Sequence, residues 1–196
     1  MKLLVDTSFS LLFSLLLAQL PVLTSAAPHN HRRLPDLEKL TNQTRNLLRL
    51  TQDLLKDHVI NTDIEHRLKS LPAMTNKASD LSSLKLKETL PQLLVDLQSF
   101  ELHFEWLTRP TWKHVHAASF NLSKLRELTS HIKTFRAFLQ RQVLKVDAQW
   151  LPSPTPSLPP LSGAWDMVQS SLEVLQQFRL FCDWASRALL TLKSKN

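Results

Sequence analysis

The sequence predicts an all-α protein, and three observations favour that class. Leucine accounts for 42 of the 196 residues, whereas glycine occurs once. Leucine is a strong helix former, and a β-sandwich or barrel needs many turns with positive φ that glycine normally supplies. Apolar residues also recur at intervals of three and four along four stretches between prolines, which is the spacing of one helix face. We therefore expect one helical domain.

The four stretches are bounded by prolines and by residues typical of helix ends. They run from about Asp36 to Val59, Leu90 to Thr108, Leu122 to Ala148, and Gly163 to Lys193. The segment Thr89–Gln92 resembles a capping box with an early proline, so we expect the second helix to begin there. Ser162 is the expected N-cap of the fourth helix, with Asp166 in the first turn where the helix dipole favours it.

The connections between the stretches predict how the helices are arranged. They contain about 30, about ten and about 14 residues, and long, short and long connections favour an up-up-down-down long-chain four-helix bundle with two long crossover loops. The last connection, residues 150–162, contains five prolines. At about 3.1 Å per residue in a polyproline conformation it reaches about 40 Å. That is about the length of a 25-residue helix, so the connection can cross the bundle from end to end.

The composition excludes several kinds of functional site. A glycine-rich phosphate loop or a dinucleotide-binding fingerprint needs several glycines. Cys182 is the only cysteine, so an intrachain disulfide and a cysteine-based zinc site are excluded, and we expect a buried free thiol. The pairs His29/His31 and His114/His116 lie in expected loops without a cysteine or carboxylate partner, so we predict no metal site. No arrangement suggests a nucleophile with its base, and we expect neither an enzyme nor a cofactor.

Residues 1–27 have the features of a secretory signal peptide. A lysine precedes an apolar run from Leu11 to Leu23, and small residues follow, with cleavage expected after Ala26 or Ala27. A membrane anchor is the alternative, but the run is short and no basic stop-transfer cluster follows it. Residues 28–196 then form the secreted helical domain.

Secretion gives meaning to two N-glycosylation sequons. They are Asn42-Gln43-Thr44 and Asn121-Leu122-Ser123, and an asparagine in such a motif is a candidate acceptor in a chain that passes through the secretory route. Helix phase places Asn42 on the outer face of the first helix. Asn121 points outward only if it precedes the start of the third helix.

Four residues of the last stretch have the chemistry of a binding interface and lie outside its apolar stripe. At 100° per residue, Trp165 falls about 170° and Arg187 about 150° from the middle of the stripe, Leu180 about 130° and Trp184 about 90°. Tryptophan and arginine are enriched at binding hot spots. For Trp165 three interpretations stay open: an interface, burial under the proline-rich loop, or a helix that starts later. For Arg187 an interface and a solvated side chain stay open.

The net charge of +7 favours an acidic partner surface or heparan-type glycans, while secretion argues against nucleic acid. A secreted lipid-binding protein of the apolipoprotein kind is the second interpretation, because amphipathic basic helices suit a membrane surface. The absence of a helical repeat and the long proline-rich crossover argue against it.

Several segments resemble the interleukin-6 family of four-helix cytokines. They are Thr44–Leu48, Ser70–Pro72 with Met74, the run Pro152–Pro160, and Ser162–Trp165 with Asp183–Lys193. The last-helix segments are the most specific. Three features depart from the mammalian cytokine that these segments resemble: the histidine-rich start of the expected mature chain, Cys182 and the two sequons. They suggest that this chain is its ortholog from a non-mammalian vertebrate.

The resemblance implies a secreted cytokine with three receptor surfaces and JAK-STAT type signalling. In the family, the first surface combines the first long loop with the end of the last helix and binds the specific α-receptor. Arg187 occupies the family's arginine position there, Met74 lies in the loop, and we add Leu180 and Trp184. The third surface engages glycoprotein 130 through an aromatic at the start of the last helix, where Trp165 stands. The second surface lies on the outer faces of the first and third helices, without assigned residues.

Overall fold

The computed structural model describes residues 35–56, 68–74, 78–112 and 121–195. In these ranges the chain forms four α-helices and no strand, which confirms the all-α class. The helices are α1 (Leu37–Lys56), α2 (Leu86–Leu107), α3 (Leu122–Lys145) and α4 (Ala164–Lys195), with short 3-10 helices at Ala78–Ser83 and Pro110–Trp112. No helix within the described ranges is long and apolar enough to cross a membrane. The predicted signal peptide and the pairs His29/His31 and His114/His116 lie outside the described residues.

Contacts at the helix ends show that α1 runs antiparallel to α3 and α4. The backbone N–H of Asp36 donates to Gln142 Oε1 at 3.0 Å, which places the start of α1 beside the end of α3. Lys193 Nζ lies 3.0 Å from Glu38 Oε2, which places the same end of α1 beside the end of α4. Two antiparallel neighbours therefore flank α1.

The second helix is antiparallel to the same two helices. Going along α2, Glu101 pairs with Arg136 and Glu105 pairs with Lys133, each at 2.7 Å. On the other side of α2, the aromatic rings of Phe100 and Phe104 pack against Phe181 and Phe178 of α4. Helices α1 and α2 are therefore parallel to each other and antiparallel to α3 and α4. This confirms the up-up-down-down bundle and requires long crossovers after α1 and after α3.

The predicted apolar faces form the core of the bundle. Buried side chains include Leu40, Leu47 and Leu54 of α1, Leu93, Leu97 and Phe104 of α2, Leu128, Ile132 and Phe135 of α3, and Val174, Phe178 and Phe181 of α4. The burial predicted for Cys182 is confirmed. Burial, with a smaller contribution from Asp183, holds the pKa of this thiol well above its ordinary value. The protonated thiol packs as a small apolar side chain.

The start of α2 differs from the prediction. The helix begins at Leu86, and Pro91 stands in its second turn. The capping box expected at Thr89–Gln92 is wrong, because Thr89 is a buried residue inside the helix. A proline so near the helix start removes only one intrahelical hydrogen bond. Packing of Leu86 and Leu90 on the core offsets that loss, and a local capping rule does not include such a contribution.

The start of α4 is close to the prediction but uses a different contact. The helix begins at Ala164, and Met167 donates its backbone N–H to the carbonyl of Gly163 at 3.2 Å. Ser162 donates its backbone N–H to Asp166 Oδ2 at 3.2 Å, and its hydroxyl also donates to that oxygen. Asp166 therefore lies in the first turn as predicted, whereas Ser162 acts as a donor and not as the accepting N-cap.

Candidate functional site

Trp165 lies exposed in the first turn of α4. Its side chain is 54% exposed, although an indole is among the largest apolar groups that a protein can bury. Coverage by the proline-rich segment is therefore excluded, and the exposure predicted from helix phase is confirmed. A large exposed aromatic at a helix start is available to a partner.

Leu180, Trp184 and Arg187 share one side of α4, because residues four and seven positions apart lie on the same helix face. Leu180 is 41% exposed. Trp184 is half-buried against the core, and its buried indole N–H has no hydrogen-bond partner among the described residues. Arg187 is exposed and pairs with Asp183 one turn earlier. An exposed pair of this kind contributes about 1 kcal/mol or less, so the guanidinium can exchange Asp183 for a partner's carboxylate.

Residues 68–74 bring Met74 to the same part of α4. The segment has no regular secondary structure, and it lies along α4 beside a groove of about 410 Å³. Met74 and Leu180 both line this groove. Arg187 lies two turns further along α4, about 10 Å from Leu180 at 1.5 Å per residue. Trp165 lies about 33 Å from Arg187 on the same scale, so the two exposed regions stand well apart.

A network of buried polar side chains fixes segment 68–74, and sequence reasoning missed it. The backbone N–H of Leu68 donates to both carboxylate oxygens of Glu173, at 3.1 and 3.2 Å. The hydroxyl of Ser70 lies 3.0 Å from His103 Nε2. Glu173 and His103 are 3% and 0% exposed. Their signal in the sequence was a charged or polar residue inside an otherwise apolar face, which is unusual in a protein core.

Helices α1 and α3 enclose a second groove, of about 530 Å³. It is lined by residues of both helices, among them Asn42, Asn46, His131, Thr134 and Phe135. Close to its end, Lys39 Nζ lies 4.7 Å and the Arg141 guanidinium carbon 5.7 Å from the ring centre of Phe138. The depression between α1 and α3 is therefore open and mainly polar, and its lining includes Asp36 and Glu38 as well as Lys39.

The environment of His103 predicts how stability depends on pH. Burial lowers the pKa of His103, and this outweighs the hydrogen bond to the Ser99 carbonyl and the charge of Glu173, which raise it. Below about pH 6.5, where an unperturbed histidine takes up a proton, the unfolded chain binds a proton that the folded chain does not. The free energy of unfolding should therefore fall as the pH drops through this window and level off below the folded pKa.

Urea unfolding of the wild type and of His103→Gln between about pH 7.5 and about pH 5.0, a range that brackets the ordinary histidine pKa, measures this effect. We expect the wild type to lose stability relative to the variant as the pH falls, because the carboxyl groups that titrate in both proteins cancel in the difference. Parallel curves for the two proteins would contradict the prediction.

Most of the chain resembles proteins of one family. The family model described as Interleukin 11 matches residues 27–196. The chain belongs to the interleukin-11 family. It is 32% identical to Interleukin-11 of Macaca fascicularis, with 86% of this chain and 87% of that protein covered. It is 31% and 33% identical to Interleukin-11 of Mus musculus and of Rattus norvegicus, with 82% of this chain and 81% of each relative covered.

Membership of the interleukin-11 family identifies the chain as a cytokine and implies receptor partners in general. In the described part of the chain, no group of three histidine, cysteine, aspartate or glutamate side chains is arranged to hold a metal ion.

Proposed function

We propose that this protein is a secreted cytokine that binds the interleukin-11 receptor α chain and assembles glycoprotein 130 into a signalling complex, without catalytic activity. The observation that carries the proposal is the separation of two exposed regions of α4, because Trp165 lies about 22 Å from Leu180 and about 33 Å from Arg187 along the helix axis. One region is Trp165, and the other is the groove of Met74 and Leu180 with Arg187 beyond it. Separate surfaces are what a protein needs to hold two receptor chains at once.

The first surface is proposed to bind the α-receptor through Arg187, Met74, Leu180 and Trp184. Leu180 and Met74 line a groove with an apolar wall, and Arg187, about 10 Å beyond Leu180 along α4, supplies a bidentate donor. The indole N–H of Trp184, which has no hydrogen-bond partner within the described ranges, lies on the same helix face. An apolar groove next to a charged anchor is typical of a binding hot spot with a polar rim.

The third surface is proposed to bind glycoprotein 130 through Trp165. Its exposed indole provides a large, rigid contact area at small entropic cost. The groove between α1 and α3 is the region that we propose for the second surface, because it lies on the outer faces of those two helices. The net charge of +7 supports steering toward acidic receptor surfaces and binding of heparan-type glycans.

Binding of residues 28–196 to an immobilised interleukin-11 receptor α ectodomain tests the proposal. We expect specific binding that dissociates more slowly when soluble glycoprotein 130 is added, because a second receptor chain adds contacts to the complex. A chain shown to be folded by its cooperative helical melt that binds neither receptor would contradict the proposal.

The structure argues against the lipid-binding alternative. The apolar faces of all four helices are buried against one another in the bundle, so those faces are not available to a lipid surface. A lipid-binding helical protein instead gains helix when lipid is added. Circular dichroism with and without vesicles should therefore show the same helix content.

Secretion and glycosylation form a separate proposal. Asn121 is exposed at the N-cap of α3, where its side-chain oxygen accepts the backbone N–H of Lys124 at 3.1 Å. A glycan attached to the side-chain nitrogen leaves that oxygen free to cap the helix. Asn42 is also exposed, but Thr44 of its sequon is buried with its hydroxyl bound to the Leu40 carbonyl. A glycan can therefore be attached to Asn42 only before α1 folds, and it would then stand in the groove between α1 and α3 that Asn42 lines.

The protein produced by a secreting cell line should begin at Ala27 or Pro28 and lose mass on treatment with peptide-N-glycosidase. Asn121→Asp should lose one glycan and keep its stability, because a carboxylate also caps a helix. Asn121→Ala should lose the same glycan and about 1 kcal/mol of stability. A chain that keeps residues 1–26 would contradict the predicted signal peptide, and a mass that the glycosidase does not change would contradict glycosylation of the two sequons.

A further inference from the structure

The segment 68–74 carries Met74 to the first surface, although it has no helix or strand to fix its path. Ordering such a segment costs conformational entropy for every residue. Apolar contacts of Leu68, Leu71 and Met74 with the core contribute to holding it, but apolar contacts are not directional. Its alignment along α4 needs directional bonds, and these come from buried polar side chains.

Glu173 supplies the first of these bonds. It accepts the N–H of Leu68 with both carboxylate oxygens, from a position 105 residues away in the sequence. A carboxylate that is 3% exposed in an apolar helix face is costly unless hydrogen bonds compensate it. The bond to Leu68 provides part of that compensation and fixes where the segment meets α4.

His103 supplies the second attachment. Its Nδ1 lies 2.7 Å from the carbonyl oxygen of Ser99, an acceptor, so Nδ1 is the donor in this bond. Its Nε2 faces the hydroxyl of Ser70, which also lies 3.0 Å from the carbonyl of Ser157 in the proline-rich segment. The hydroxyl of Ser99 donates to the carbonyl of Ser70 at 3.4 Å. Because Nδ1 carries the proton of the neutral ring, Nε2 is an acceptor, and the single hydroxyl proton of Ser70 is shared between Nε2 and the Ser157 carbonyl. Ser70 thus contacts both α2 and the last crossover.

We infer that Glu173 and His103 are positioning residues of the α-receptor surface, because together they hold segment 68–74 so that Met74 lies beside Leu180. Both side chains are buried, and although Glu173 borders the groove it is only 3% exposed, so they act chiefly through the segment. The inference rests on the proposed function only in taking the groove of Met74 and Leu180 as the α-receptor surface.

Substitution of Glu173 tests the inference with two readouts. Glu173→Leu should speed hydrogen exchange of the Leu68 amide about tenfold or more and weaken α-receptor binding by a similar factor, because a hydrogen bond to a buried charge is lost. Glu173→Gln should have a smaller effect on both, because its side-chain oxygen still accepts the Leu68 N–H. Ser70→Ala removes the second attachment from a half-buried position, so the test does not depend on whether Glu173→Leu folds.

Gln142→Leu is the matched control. Gln142 is buried and also accepts a backbone N–H from another element, that of Asp36 at 3.0 Å, but at the start of α1 and away from segment 68–74. The Gln142→Leu variant should leave both the hydrogen exchange of the Leu68 amide and α-receptor binding unchanged. An equal loss of binding in this variant would show a general effect of destabilisation and would overturn the inference.

The two readouts separate failure of the inference from failure of the proposed function. Unchanged exchange at Leu68 and at its neighbours in the Glu173 and Ser70 variants would overturn the positioning role. Faster exchange at Leu68 in these variants with unchanged α-receptor affinity would also overturn the positioning role. In that case the proposed function would still stand, because the wild type binds the α-receptor. A wild type that binds no α-receptor would overturn the proposed function itself, and the receptor role of Glu173 and His103 with it.

Discussion

Trp165→Ala is expected to abolish signalling while α-receptor binding stays as in the wild type. The indole is 54% exposed and stands in the first turn of α4, so its removal takes little from the core. It lies about 22 Å from Leu180 and about 33 Å from Arg187 along the helix axis. At those separations a substitution at one site does not change binding at the other.

The expected loss is large because an exposed tryptophan at an interface centre is a typical hot spot. Truncation of such a residue costs about 2–4 kcal/mol, which is about 30- to 1,000-fold in the affinity of the α-receptor complex for glycoprotein 130. Recruitment of glycoprotein 130 to the immobilised complex and STAT phosphorylation in responsive cells measure this loss. A variant that retains α-receptor binding without recruitment would act as a competitive antagonist.

Trp150→Ala is the control for this substitution. Trp150 is 45% exposed and lies soon after the end of α3, so the same type of side chain is removed at the opposite end of the bundle from Trp165. It should leave α-receptor binding and signalling unchanged. Equal loss of α-receptor binding and of recruitment in Trp165→Ala would contradict the assignment of Trp165 to a separate surface.

Arg187→Glu is expected to weaken α-receptor binding first, by about ten- to 100-fold. Arginine is a frequent hot-spot residue, and reversing its charge replaces an attraction to an acidic partner by a repulsion. The variant also places a second carboxylate one turn from Asp183, but two exposed like charges at this spacing cost the fold only about 0.5 kcal/mol or less. The dissociation constant for the α-receptor should therefore rise strongly, whereas the melting temperature should stay close to that of the wild type.

Arg126→Glu separates this local effect from a change in net charge. Arg126 is an exposed arginine of α3, and its reversal changes the net charge by the same amount. If Arg187 contacts the receptor, Arg187→Glu should raise the dissociation rate, whereas Arg126→Glu should change at most the association rate and its salt dependence. An unchanged dissociation constant for Arg187→Glu would count against the first surface as proposed.

The sequence by itself determined which side of each helix faces the core. Helix periodicity is a local property, since residues three and four apart share a face whatever the helix packs against. This is why the buried stripe of α4 and the exposure of Trp165, Leu180 and Arg187 could be predicted without a structure. The length of the crossovers also constrained the topology. A connection between two parallel helices must run from one end of the bundle to the other, and only a long connection can do so.

Tertiary structure decided where local signals conflict with packing. Pro91 suggested a helix start, yet α2 begins at Leu86 because the preceding turn packs on the core. Ser162 suggested an N-cap, yet it donates to Asp166. At the start of α2 the local preference is worth about 1 kcal/mol, and burial of a leucine contributes more than that. The contact of Ser162 with Asp166 is itself local, because the two residues are only four positions apart.

Only the folded chain shows how the first surface is assembled. Met74 and Leu180 line one groove, and Glu173 meets Leu68 across 105 residues of sequence. Periodicity gives the direction of a side chain relative to its own helix but not the element that it meets, because that depends on the crossover path and on the packing of the whole bundle. The sequence could therefore name the exposed anchors, whereas their grouping and the buried residues that hold Met74 in place required the three-dimensional structure.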